Sequence, residues 1–159
     1  MRIKWGRAFQ WQQIIILAIY LPLIAVLIPA FCGCQSALSY MDDEMSVYYQ
    51  RDGGIAGLND RLTIDDNGHC TLQTKNSALE FNLTPDDWQH LRQLFQEADF
   101  FSLHNEYLPN YIGADRIEYT ITCRISDKEH TVRTMDGAIP DALTPVLSQL
   151  GRIISDNSG

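Results

Sequence analysis

No run of lysine or arginine in this sequence is long enough to neutralise several phosphates, which speaks against nucleic acid as a partner. There is no HExxH pair, no GxSxG elbow, no P-loop and no GxGxxG, so zinc-peptidase, hydrolase and nucleotide chemistry lack their usual motifs. The nearest approach, Gly53 Gly54 Ile55 Ala56 Gly57, is too short and has neither the strand-to-helix setting nor the distal acid of a dinucleotide site. His69, His90, His104 and His130 are scattered without zinc-ligand spacing, so neither a metal nor a cofactor is expected. The acid pairs Asp42 Asp43, Asp65 Asp66 and Asp86 Asp87 fall in a tether, a turn and a helix cap. Nothing in the pattern points to catalysis, and the chain is read as a non-enzyme.

The sequence also lacks an apolar run of about 20 residues, the length a helix needs to cross a bilayer. The longest, residues 14–28, is interrupted by Pro22. It follows a basic start (Arg2, Lys4, Arg7) and precedes Pro29 Ala30 Phe31 Cys32 Gly33 Cys34, the three-part layout of an export signal. Gly33 before Cys34 resembles the lipobox of bacterial lipoproteins, in which the cysteine becomes the lipidated first residue. Lipidation at Cys34, an uncleaved anchor, and cleavage with release are the three readings, and each places the rest of the chain outside the cytoplasm, in the cell envelope. Residues 1–34 are therefore read as signal or anchor, 35–45 as a tether and 46–155 as one domain.

What remains is rich enough to fold. Apolar residues make up 45% of the chain, with seven Tyr, six Phe and three Trp, and roughly 125 residues can bury one core. All 20 acidic residues lie at or after Asp42 against nine of the 12 basic ones, a formal charge of −11 for that part. An acidic surface of this kind suits a basic or neutral protein partner. Cys70 and Cys123, both in strand-like segments, either pair in a disulfide or stay as two buried free thiols.

Ser46 to Gln50, Leu58 to Asp65, Cys70 to Thr74, a short segment with Leu79, Phe81 and Leu83, Arg116 to Ser126, and His130 to Met135 read as strands from their alternation. Asn67 Gly68 and Asp127 Lys128 supply hairpin turns. Thr84 Pro85 Asp86 Asp87 is a helix start, and Trp88, Leu91, Leu94, Phe95 and Ala98 recur at helical spacing. Residues 102–114 read as a loop, and Pro140 as the opening of a last helix with a stripe from Leu143 to Ile154. The expected fold is α+β, an antiparallel four- to five-stranded sheet with two amphipathic helices packed on one face.

Five blocks of sequence carry a resemblance. Gly53 Gly54 Ile55 Ala56 Gly57, Ala98 Asp99 Phe100 Phe101 Ser102 Leu103, Gly113 Ala114 Asp115 Arg116 Ile117 Glu118 Tyr119 Thr120 Ile121 Thr122, His130 Thr131 Val132 Arg133 Thr134, and Asp136 Gly137 Ala138 Ile139 Pro140 Asp141 Ala142 Leu143 resemble the emfourin family in the same order. The resemblance implies a proteinaceous inhibitor of a thermolysin-like zinc metallopeptidase that covers the active-site cleft without being a substrate. The partner is then a protein, with the membrane engaged only through the N-terminal anchor or lipid, and the chain is expected to be a monomer.

Gly53, Gly54, Ile55, Ala56, Gly57 and Leu58 are the first candidates for partner contact, because glycines allow close backbone approach while Ile55 and Leu58 offer apolar anchors. The alternative for the same residues is a bulge that only bends the first strand. Tyr107 and Tyr111 are the second candidates, either exposed anchors or aromatics packed back on the sheet. Asp115 and Arg116 are read as a candidate ion pair. A competing function is a lipoprotein that binds or scaffolds an envelope protein and blocks no enzyme.

Overall fold

In the computed structural model, which describes residues 43–110 and 115–158, period-two alternation builds most of the sheet. Its strands are β1 (Met45–Gly53), β2 (Leu58–Ile64), β3 (His69–Gln73), β4 (Ala78–Asn82), β5 (Glu106–Tyr107), β6 (Ile117–Ile125) and β7 (Lys128–Met135). The order across the sheet is β4-β3-β2-β1-β6-β7-β5, so β1 is central and pairs antiparallel with β2 and β6. The class is the expected α+β, but the sheet is larger than four or five strands and is mixed, since β5 runs parallel to β7. A two-residue strand has no period to read, and β5 lies inside the segment read as a loop. Arg133 ties it in by donating its N–H to the Asn105 carbonyl at 2.8 Å.

Met45, Val47 and Tyr49 of β1, Leu62 and Ile64 of β2, Cys70 and Leu72 of β3, and Ile121, Cys123 and Ile125 of β6 are buried on one face. Two helices share that core, α1 (Pro85–Glu97) through Trp88, Leu91 and Phe95, and α2 (Thr144–Asn157) through Val146, Leu150, Ile153 and Ile154. Neither helix, nor any other among the described residues, is long and apolar enough to cross a membrane.

The α1 start follows the sequence pattern. Thr84 Oγ1 accepts from the Asp87 N–H at 3.1 Å and donates to the Asp87 carboxylate at 2.6 Å, while Pro85 needs no N–H partner in the first turn. The last helix begins later than expected, because Pro140 opens a short 3-10 turn (Asp141–Leu143) and α2 starts only at Thr144. Pro145 then sits in the first helical turn, where its missing N–H costs nothing.

The other sheet face carries no helix among the described residues. Thr71, Thr63, Tyr48, Thr122 and Thr131 are successive partners across β3, β2, β1, β6 and β7, a hydroxyl-bearing row in which Thr122 and Thr131 share a 2.8 Å hydrogen bond. The signal or anchor over residues 1–34, lipidation at Cys34 and most of the 35–45 tether lie outside the described residues, as does Tyr111.

Candidate functional site

The chain leaves β1 through Gly53, Gly54 and Gly57, with φ of +97°, +69° and +57°, values that L side chains adopt only at a cost. The Gly57 N–H donates to the Gly54 carbonyl at 3.0 Å, which closes a tight four-residue turn before β2 begins at Leu58. The Gly54 N–H donates to the Arg116 carbonyl at 3.0 Å, and a Cβ on Gly53 would stand 2.7 Å from that oxygen. Close approach to the β6 entry thus requires glycine at position 53.

Behind this contact lies a bracket centred on Asp136. Its carboxylate accepts from the Ile117 N–H and from the Tyr119 hydroxyl, each at 3.0 Å, while its N–H donates to the Ile117 carbonyl at 3.0 Å. The Arg116 guanidinium donates to the Asp136 carbonyl. Burial, with the Asp136 carboxylate second, pushes the Tyr119 phenol up to about 12, so it stays a proton donor. Asp115 is exposed, and the expected pairing of Arg116 with it is replaced by this bond to Asp136. Sequence reasoning missed the bracket; the signal was Asp136 Gly137, a turn pair whose Gly137 has φ +86° and where a Cβ would overlap the Arg116 guanidinium.

At the tip the side chains face solvent. Ile55 is 89% exposed, Ala56 and Gly57 are exposed, and Leu58 is half-buried. Ile55 and Leu79 are the only large hydrophobic residues standing exposed among the described residues, and Ile55 far exceeds Leu79 at 37%. An isolated exposed isoleucine on a firmly held turn is a suitable anchor for a partner pocket.

The structure separates the other candidates from this corner. Tyr107 is half-buried against the core and its hydroxyl accepts from the His104 N–H at 2.9 Å, so it is held by its own chain. It lies on β5, three strands from β1, or about 14 Å at the usual strand spacing. The disulfide expectation is corrected. Cys70 on β3 and Cys123 on β6 are buried free thiols with β2 and β1 between them, beyond the roughly 7 Å that a bond allows. Burial pushes both thiols up to about 12.

The histidines have separate surroundings. His130 meets the Leu103 carbonyl at 3.0 Å and packs on Phe100, His69 meets Asn82 at 3.1 Å, His104 lies beside Tyr107, and His90 is exposed. Among the described residues no three of His, Cys, Asp and Glu stand close enough to share a metal ion.

Fold and site together define an α+β domain with an exposed glycine-built turn hydrogen-bonded at its base. The family to which this architecture belongs is Emfourin: the family's model matches residues 49–151, and the chain is a member of it. The family is protease-inhibitor-like in character, which agrees with a protein partner. No curated protein matches the chain.

Proposed function

We propose that this protein inhibits a thermolysin-like zinc metallopeptidase by seating residues 53–58 in its active-site cleft, while an N-terminal anchor or a lipid on Cys34 holds it at the cell envelope. Family membership supports the inhibitor reading, and the basic-apolar-cysteine order of the first 34 residues supports the location. The single observation that carries the contact is Ile55, 89% exposed at the tip of a turn whose base is hydrogen-bonded to β6 and braced by Asp136. A rigid, narrow loop reaches into a cleft at small entropic cost, because little of it has to be ordered on binding.

The test is an inhibition titration of a panel of thermolysin-like peptidases with the full chain purified in detergent, beside Ile55→Asp. The variant should weaken inhibition by at least about tenfold while its unfolding transition stays in place. Unchanged peptidase activity at micromolar excess of the wild-type chain refutes the reading. Gly54→Trp is a poorer probe: a Cβ there already meets Ile117 Cγ1 at 3.0 Å, and φ is +69°, so the fold itself would be strained. A non-inhibitory, protein-binding role is the second reading, favoured by the threonine-bearing sheet face, which no helix covers among the described residues. A stoichiometric non-peptidase partner recovered from membranes would establish it.

A further inference from the structure

A pocket of about 310 Å³ opens between the sheet and α2, just inside the corner. Tyr49, Arg51 and Tyr119 line it from the sheet, and Thr144, Leu147, Ser148 and Gly151 from α2. Three observations mark it as built to be filled.

Tyr49 lines the pocket and is only 1% exposed, yet its hydroxyl has no hydrogen-bond partner among the described residues. A buried phenol ordinarily finds a partner. Arg51 donates its Nε to Asp60 at 2.6 Å, which leaves its Nη groups without a partner among the described residues. Gly151 lies inside α2, where glycine costs helix stability, and a Cβ there would meet nothing within 4 Å. Gly151 therefore lines the pocket without filling any of it.

The chemistry selects the occupant. Tyr49 and Arg51 offer protons, while Thr144 and Ser148 add hydroxyls that can give or take one, so a guest with both an acceptor oxygen and an N–H donor is matched. A carboxylate is disfavoured, because Asp60 already neutralises Arg51 and the Asp136 carboxylate stands beside Tyr119. Burial raises the Tyr49 phenol well above its ordinary value, so it remains a donor. Leu147 and the tyrosine rings ask for an apolar stem. Arg51 is two residues before Gly53 on β1, about 7 Å along the strand, well within the footprint of a partner seated on the corner.

We infer that this pocket is a second docking point for the target, taking a glutamine- or asparagine-type side chain whose amide oxygen accepts from Tyr49 and Arg51. The inference rests on the proposed inhibitor function. Its test compares the inhibition constants and unfolding curves of the wild-type full chain, Gly151→Phe, Tyr49→Phe and Ile55→Asp on one inhibited peptidase. Gly151→Phe should plug the pocket and weaken inhibition at least about tenfold without lowering the unfolding midpoint. Tyr49→Phe, which removes one hydroxyl and no internal bond, should weaken it about fivefold. If both inhibit like wild type while Ile55→Asp does not, the pocket inference is overturned and the corner stands. If Gly151→Phe fails to fold, Tyr49→Phe decides alone. A wild-type chain that inhibits nothing overturns the function and the pocket together.

Discussion

At one end of β2 the chain turns through Gly53, Gly54 and Gly57; at its other end it turns through Gly68, again with positive φ. Both turns join antiparallel neighbours in the same sheet. The Gly68 turn is held by Asp65, whose carboxylate accepts from the Asn67 and His69 N–H groups at 2.9 Å, and Trp88 lies over it. The indole donates to the Asp66 carbonyl at 3.2 Å and stacks under the Arg92 guanidinium at 4.9 Å, and Arg92 reaches the Asp43 carbonyl. Among the described residues the glycine corner has no such lid: it is anchored from beneath through Arg116 and Asp136, and the Ile55 side chain at its tip is exposed. The same backbone chemistry serves the core at one end and presentation at the other, and what decides is whether a helix side chain covers the turn.

The largest break in this contrast is Trp88→Ala, which removes the lid and its bond to Asp66. A loss of about 3–5 kcal/mol in denaturant unfolding is expected, with inhibition unchanged once the chain is folded. Gly53→Ala attacks the anchored base of the other turn, since its Cβ would press on the Arg116 carbonyl at a φ of +97°. About 3 kcal/mol is expected in the same assay, this time with inhibition lost.

Alkaline pH sharpens the covered end, because Cys70 lies beneath it with its thiol turned toward the Gly68 carbonyl. Its native value is raised by burial to about 12 from 9, as is that of Cys123. Well below pH 9 both states are protonated and the contribution is complete. As pH climbs from 9 toward 12 only the unfolded chain ionises, so stability falls. An unfolding series over that range, with thiol alkylation confined to the unfolded protein, checks it.

Gly57→Ala meets no atom within 4 Å and pays only for φ +57°, about 1 kcal/mol by thermal unfolding. The smallest effect on stability, under about 0.5 kcal/mol, belongs to Ile55→Asp, because its side chain touches little but water. A large loss of inhibition with so small a stability change would identify the tip as a contact surface.

Much of this architecture was legible in the residues. Leu62 and Ile64, or Ile121, Cys123 and Ile125, alternate cleanly because one sheet face is buried and the other wet, and Thr84 Pro85 Asp86 Asp87 announces a helix through local hydrogen-bonding chemistry. β5 was not legible, since Glu106 and Tyr107 are a strand only because β7 offers an edge. The late start of α2 was not legible either, because Pro140 and Pro145 are both acceptable helix openers and the choice rests on packing. The corner was visible as a glycine cluster, but the Asp136 bracket joins residues about twenty apart with no shared motif.

The sequence by itself determined the α+β class, the two amphipathic helices, the glycine turns and the family to which the chain belongs, because periodicity, capping and backbone freedom act over a few residues. Only the tertiary structure decided that Cys70 and Cys123 stay apart, that Trp88 covers Gly68 and that Ile55 stands bare. Those outcomes depend on which strands become neighbours and where the helices lie, and burial is a property of the assembled core that no short segment carries.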